Sequence, residues 1–381
     1  MLAAGSATGQ NLYFGMTPIR DIDFEFFHPK PDTLSIFIVG DIMSHGKMLK
    51  SAWMNYCSDH PGAPREAHGS YDYSTFFKHI GDRIENADIA IGNMEFPLAG
   101  PPFTGYPDFS APDSYPFYLA EAGFDVLLGA NNHILDKGDY GLERTVQVCD
   151  RLEKETSARY TGISKSPSDD IERYPLMLET KGVKVAVVNF TYGTNYSGQK
   201  EWPKVNRMRR DDIRKALERA TEQGADFVLV IPHWGIEYHH THSAQQEDLA
   251  RWMASEGADA IVGAHPHVVQ DMQEIQTRDG RTVPVFYSLG NAVSNQNDLP
   301  ARLEMCLTIR LVLEKGKPIR MAPPVKEFLW CTKPGMIEVS YSVVPVKEFL
   351  GKEDMWTDSA DYRNMVDTYG KVKKAVNIQD N

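Results

Sequence analysis

Short apolar runs rich in Val and Ile recur along the chain, and each leaves through an acidic, amide or imidazole residue. Residues 35–39 exit through Gly40-Asp41, and residues 89–91 through Gly92-Asn93-Met94-Glu95. Residues 126–128 lead into Gly129-Ala130-Asn131-Asn132-His133, and 185–188 into Asn189. Residues 227–231 lead into Pro232-His233-Trp234-Gly235, and 260–262 into Gly263-Ala264-His265-Pro266-His267. The last run, 283–287, ends in Ser288-Leu289-Gly290-Asn291. Continuous apolar runs of this length predict strands buried on both faces.

Helical periodicity lies between the runs. Residues 211–222 put Ile213, Ala216, Leu217 and Ala220 on one face. Residues 243–256 open with Ser243 and Gln246 at capping-box spacing, and bury Leu249, Trp252 and Met253. Residues 141–152 form a third candidate helix. Gly123, Gly224 and Gly257 each follow a helical stretch, where glycine supplies the left-handed terminal position. Strand alternating with helix predicts α/β architecture, with function at the carboxyl ends of the strands.

Beyond Asn295 the pattern changes. Residues 305–313 and 338–344 alternate like antiparallel strands. Residues 324–329 and 345–350 both read Pro-Val-Lys-Glu-Phe-Leu, either equivalent strand exits or coincidence. The expected organisation is a main domain over 30–300, strands packing on it over 301–350, and a peripheral helix or tail over 351–381. Segments 55–74 and 97–116 read as long loops.

Composition adds exclusions. A net charge of −12 over 381 residues argues against nucleic acid, which needs a cationic surface. Cys57, Cys149, Cys306 and Cys331 form no C-x-x-C pair and read as isolated thiols. No apolar run reaches the roughly 18–20 residues of a bilayer span. Residues 1–15 contain Asn11-Leu12-Tyr13-Phe14-Gly15 before a second methionine, Met16, and read as a tag remnant.

Singly, each polar exit residue reads as a turn or cap residue. Together, Asp41, Glu95, Asn132, His133, His233, His265 and His267 make a metal-ligand set, whose histidines suit zinc, iron, nickel or copper and whose mixed Asp, His and Asn donors also suit manganese. Asp41 and Glu95 are the carboxylates available to bridge two cations. His133, directly after Asn132, stands in a general-acid position. His239, His240 and His242 read as a solvated loop, and Trp234 and Tyr238 as packing residues.

Six blocks now carry a resemblance. They are Gly40-Asp41-Ile42-Met43; Asn93-Met94-Glu95-Phe96-Pro97; Gly123-Phe124-Asp125 with Ala130-Asn131-Asn132-His133, Asp136-x-Gly138 and Gly141; His233-Trp234-Gly235-x-Glu237-Tyr238; Gly263-Ala264-His265-Pro266-His267; and Tyr287-Ser288-Leu289-Gly290-Asn291. In this order they resemble the bacterial capsule-synthesis CapA family of poly-γ-glutamate capsule biosynthesis, within the calcineurin-like metallophosphoesterase superfamily. The resemblance spans roughly residues 34–296. It implies a four-layer α-β-β-α sandwich of the metallo-dependent phosphatase type, with a short C-terminal β-rich extension. It also implies one or two divalent ions (Mn, Fe or Zn) on Asp41, Glu95, Asn132, His233, His265 and His267, with His133 catalytic. Asn93, Lys47, Glu237 and Asn291 are the substrate-binding candidates; Asn291 reads equally as a support for a ligand residue, and Glu237 as a support for a ligand histidine or a surface ion-pair partner.

The implied activity is a hydrolase-like reaction in biosynthesis of an anionic envelope polymer. The implied partners are that polymer or a phosphorylated small molecule, and a membrane-bound biosynthetic complex. The implied location is the cell envelope, periplasmic or extracytoplasmic, with a native signal or anchor removed ahead of Met16. One departure favours a different class. Met43 stands where the superfamily's opening Asp-x-His has histidine, and thioether sulfur is a poor ligand for hard divalent ions. His45 is out of register. The alternative is a non-catalytic assembly, transport or polymer-binding subunit that retains a metal.

Overall fold

A computed structural model describes residues 32–379, so the tag-like residues 1–15 lie outside the described residues. Two sheets face each other, with helices on both outer faces. The first sheet has nine strands. Seven lie in the order Ser342–Pro345, Val325–Thr332, Leu303–Leu313, Asp32–Ile42, Ile89–Met94, Val126–Leu128 and Arg159–Thr161, while Asn291–Val293 pairs with Asp32–Ile42 and Arg320–Met321 with Leu303–Leu313 off this path. The second sheet orders Met272–Gln276, Thr282–Phe286, Ala260–Val262, Phe227–His233, Val183–Thr191 and Leu176–Thr180.

Alternation along each central strand explains the layers. In Asp32–Ile42, Leu34, Ile36 and Ile38 face the second sheet, whereas Phe37 and Val39 face the outer helices. In Val183–Thr191, Val183, Val185 and Val187 point inward, and Ala186, Val188 and Phe190 outward. A period of two with both faces apolar produces an unbroken hydrophobic run in sequence. Helices Gly46–Asp59, Ser114–Glu121 and Gly138–Glu155 cover the first sheet. Helices Arg210–Glu222 and Ala244–Ser255 cover the second. This is the four-layer α-β-β-α sandwich. Ser243 caps the latter helix, with Gln246 completing the reciprocal capping box.

The C-terminal strands extend the first sheet antiparallel to its parallel centre. Helix Ser359–Val376 covers their inner face, placing Met365 and Val372 in the same buried layer as Phe328 and Trp330. Arg302 donates to both Asp361 carboxylate oxygens, at 2.6 and 2.9 Å, and anchors that helix.

Local expectations shift in three places. The two Pro-Val-Lys-Glu-Phe-Leu copies are not equivalent: one enters strand Val325–Thr332, the other forms helix Val346–Phe349. Antiparallel pairing of residues 325–329 with strand Leu303–Leu313 holds the first copy extended, so tertiary pairing overrides a shared local preference. Helix Gly46–Asp59 runs into the segment read as a loop from 55, and helix Ser114–Glu121 begins inside the one ending at 116. Of residues 338–344, only those from Ser342 onward are strand.

Candidate metal centre

Strand register gathers the polar exits. Asp41 pairs with Asn93 on one side and with Asn291 on the other. In the second sheet His233 pairs with Thr191, and it forms a parallel bridge with Ala264, next to His265. The approach at Gly40 is close: a Cβ there would sit 2.0 Å from the Gly290 carbonyl oxygen. Only glycine lets the first strand end against this turn, where Asp41 N–H donates to Gly290 O at 3.0 Å.

Asp41 and Glu95 are both fully buried. Asn93 Nδ2 donates to Asp41 Oδ1 at 2.7 Å, and the His265 backbone N–H donates to Oδ2 at 3.1 Å. His267 Nδ1 lies 3.5 Å from Asp41 Oδ2. His233 Nε2 is 3.7 Å from Glu95 Oε1, and His267 Nε2 is 4.0 Å from the same oxygen. The donor atoms of Glu95, His265 and His267 lie within 4.8 Å of one another, as do those of Asp41, Glu95 and His233. Glu95 is common to both triads. Asn132 Oδ1 accepts from His233 Nε2 at 2.7 Å, which brings the amide to the same centre.

A divalent cation fits this donor set. Both Glu95 oxygens, Asn93 Oδ1 and His265 Nδ1 are buried and make no hydrogen bond among the described residues. Unsatisfied buried polar atoms are rare in folded proteins, and here they face oxygen and imidazole donors of the type divalent ions accept. Two residues of the cluster, His265 and His267, hold positive φ angles of 100° and 59°. Such strain in non-glycine residues gathers at functional sites.

The electrostatics agree. Burial, with the Asp41 carboxylate beside it, holds Glu95 well above the usual carboxylate range. Burial pushes Asp41 up as well, but His267 and His233 outweigh it and leave Asp41 below its ordinary value. Burial lowers His233 to about 3 and drives His265 well below its usual range. Both are therefore neutral imidazoles, the form that ligates metals. Burial alone would lower His267 too, yet Asp41 raises it.

His133 stands beside the cluster. Its Nδ1 lies 2.7 Å from Asp136 Oδ2, and a carboxylate only accepts, so Nδ1 carries the proton. The ring packs edge-on against Phe109, with centroids 4.6 Å apart. Asn132, His133, His267 and Glu237 line one cavity of about 860 Å³, together with Met43 and His45. Burial lowers His45 to about 3, and its Nδ1 accepts from Asn295 N–H at 3.2 Å.

The substrate candidates separate. Glu237 lines the cavity and is exposed. Asn93 is buried and serves Asp41 rather than the cavity wall. Asn291 is withdrawn from substrate: its Oδ1 accepts from His267 Nδ1 at 2.9 Å and its Nδ2 donates to Ala301 O at 2.9 Å. It therefore orients His267, one of the candidate ligands. Lys47 is also outside the site, exposed on helix Gly46–Asp59 and lining a different cavity. The turn after Ser44 carries it away from the cluster.

Two supporting residues went unassigned in the sequence. Asp136 orients His133 and was visible only as part of a motif. Asn195 lies in the loop beyond strand Val183–Thr191, and its backbone N–H donates to Asn132 O at 2.8 Å. Its Oδ1 accepts from Asn132 Nδ2 at 3.3 Å. No periodicity marks that loop. The histidine tract stays outside the cluster: His240 Nδ1 meets Val269 O at 2.8 Å, and His242 stacks on Tyr287. Trp234 is buried against Tyr287, whereas Tyr238 is exposed at the cavity.

Residues 35–296 match the family model described as bacterial capsule synthesis protein PGA_cap. The capsule biosynthesis protein CapA of Bacillus anthracis is 31% identical over 280 residues, 71% of this chain and 62% of that protein. The PGA biosynthesis protein CapA of Bacillus subtilis is 29% identical over 276 residues, 70% of this chain and 64% of that protein. The chain thus spans less than two thirds of the length of these relatives. Among solved structures, the calcineurin-like phosphoesterase YfkN of Bacillus subtilis aligns over 91% of this chain and 98% of that one, at 15% identity and a TM-score of 0.45. With most of the sandwich and every metal-ligand candidate inside the matched span, this chain belongs to the bacterial capsule synthesis protein family.

Proposed function

We propose that this chain is a metal-dependent hydrolase-like protein of capsule or envelope-polymer biosynthesis, acting on an anionic polymer or a phosphorylated substrate at the cell envelope. The observation that carries the reading is Glu95, common to two ligand triads beside an oriented histidine. Asp41, Glu95 and His233 would hold one divalent ion, and Glu95, His265 and His267 a second. Bound there, such ions supply a nucleophile at neutral pH and polarise the group under attack.

The chain's own residues do the rest. Asp136 keeps the His133 proton on Nδ1 and fixes the ring. As an imidazolium, His133 delivers a proton from Nε2 to the leaving atom. Asn132 holds the His233 ring in place. Burial of the whole cluster keeps bulk water from competing for its charges.

The test is turnover of generic phosphodiester and γ-glutamyl substrates by the metallated chain and by His133→Ala. The variant is expected to lose about 10²–10⁴-fold in kcat with its metal content unchanged. Equal turnover by both proteins would remove His133 from the chemistry. A second reading, a metal-containing polymer-binding or assembly subunit, draws on Met43 at the cavity wall, a side chain poorly suited to a hard cation. No turnover in a fully metallated chain would favour it.

A further inference from the structure

A cavity of about 730 Å³ shares no lining residue with the one at the metal centre. Helix Gly46–Asp59, segment 71–78, the short helix Gly81–Glu85 and helix Ser114–Glu121 enclose it. Tyr56, Tyr71, Tyr73, Phe77, Phe117 and Tyr118 line it with aromatic rings. Four carboxylates share the wall, those of Asp59, Asp72, Glu85 and Glu121, and none of them forms an ion pair among the described residues. Asp72 accepts only from neutral donors, Asn55 Nδ2 at 2.7 Å and the Ser74 backbone N–H at 2.8 Å. The cations nearby are already engaged. Lys78, on the wall, pairs with Glu338 at 3.0 Å. Arg151 lies 5.0 Å from the Phe117 ring centroid but is not on the wall, and it pairs with Asp113 at 3.1 Å.

Carboxylates alone would say little on a chain with a net charge of −12. Their setting says more. Tyr73 is 2% exposed, and its hydroxyl, buried at this wall, has no hydrogen-bond partner among the described residues. Ser114 Oγ, on the same wall, has none either. Buried polar atoms are nearly always satisfied, so both point to a partner from outside the chain. The Tyr73 ring is held in place: it stacks on Tyr115 with centroids 4.3 Å apart, and Tyr115 donates its hydroxyl to Met43 O at 3.2 Å. Tyr118 is held as well, its hydroxyl accepting from Phe77 N–H at 3.3 Å.

The ligand that fits these groups is cationic. Aromatic faces attract ammonium groups through the ring quadrupole, and unpaired carboxylates attract them through charge. A metal ion does not fit. The carboxylate and imidazole atoms close enough to hold one gather, among the described residues, in the two triads that share Glu95 and not here. A quaternary ammonium does not fit either, because the Tyr73 and Ser114 oxygens need an N–H, which that group lacks. Four carboxylates spread among rings, in a cavity of small-molecule size, match several ammonium groups joined by short methylene chains.

We propose that the cavity between helices Gly46–Asp59 and Ser114–Glu121 binds an aliphatic polyamine. Its ammonium N–H groups donate to the Asp72 and Glu121 carboxylates and to the Tyr73 and Ser114 hydroxyl oxygens, and its methylene segments lie on the tyrosine and phenylalanine rings. The site goes beyond the proposed function and does not rest on it, since no group of the metal centre takes part.

The test is calorimetric titration of the full, manganese-loaded chain with spermidine. Tetramethylammonium and Mg²⁺ serve as competitors at matched ionic strength. Saturable spermidine binding is expected, weaker as salt rises, and displaced by neither competitor. Asp72→Asn with Glu121→Gln removes two charges and keeps their shape, whereas Tyr73→Phe removes only the unpartnered hydroxyl. Each is expected to weaken spermidine binding at least about tenfold, with manganese content as in the parent. The ligand-free Tyr73→Phe chain should unfold at the parent's denaturant midpoint or above it, because the hydroxyl it lacks had no partner to lose. Weakened binding in that variant is then not a folding defect. Absence of saturable spermidine binding, or an affinity unchanged in either variant, overturns the site. Displacement by tetramethylammonium or by Mg²⁺ as effective as by unlabelled spermidine overturns the polyamine assignment.

Discussion

Charge is buried in two regions of this molecule, and it is handled in opposite ways. Beneath the C-terminal helix, Arg302 and Asp361 face each other through two short hydrogen bonds, and Arg302 also donates to the Cys331 carbonyl at 3.0 and 2.9 Å. At the strand ends, Asp41 and Glu95 are just as deeply buried, but no Lys or Arg meets them in an ion pair among the described residues. Imidazoles surround them instead, and two of those are driven neutral by burial. Isolated buried carboxylates are strongly disfavoured unless a partner compensates them. A charge answered from within the chain is a structural device. Two carboxylates facing two neutral imidazoles, with only His267 raised beside Asp41, make a pocket that a cation from outside would fit.

The contrast can be broken from its structural side first, where the largest effect lies. Arg302→Met leaves Asp361 buried without its partner and should cost about 3–5 kcal/mol in denaturant unfolding, whereas Arg302→Met combined with Asp361→Leu should recover most of that loss. A single variant as stable as the parent would show the pair to be incidental.

A smaller effect tests whether burial behind the centre acts as described. Glu304 is fully buried, and its carboxylate accepts from Gly40 N–H. Burial raises it from 4.5 to about 8. A carboxyl raised in the folded state contributes stability that is complete below its unfolded value and lost as pH climbs through the folded one. The metal-free chain should therefore weaken between about pH 4.5 and 8, and Glu304→Gln should flatten the decline by on the order of 3 kcal/mol. Parallel pH profiles for parent and variant would refute that environment.

The layered fold was legible because its strands are apolar on both faces and end in polar residues. Period-two packing against two cores writes that pattern directly into the chain. The cluster was legible for the same reason, since parallel register brings strand ends level: Asp41, Asn93 and Asn291 meet as neighbours. What each exit residue does once there was harder to read. In sequence Asn291 reads equally as a substrate contact or as a support for a ligand residue, and the choice depends on His267 and Ala301, which only folding brings to it. Asn189 likewise turns inward, accepting from Ala130 N–H and donating to Ile231 O. Asn195 is carried by an irregular loop with no repeating signal. Lys47 lies close to Asp41 in sequence, yet the helix that begins at Gly46 takes it into another cavity. The hexapeptide makes the same point about local preference, being strand in one copy and helix in the other.

The central claim is that Glu95 joins two ligand triads into a cation site. It is tested most directly by metal stoichiometry after the stripped chain is dialysed against Mn²⁺, Fe²⁺ or Zn²⁺, for the parent and for Glu95→Gln. The account predicts at least one tightly held ion per chain in the parent and its loss in the variant. A parent that retains none of the three ions, or a variant that retains as much as the parent, would contradict it.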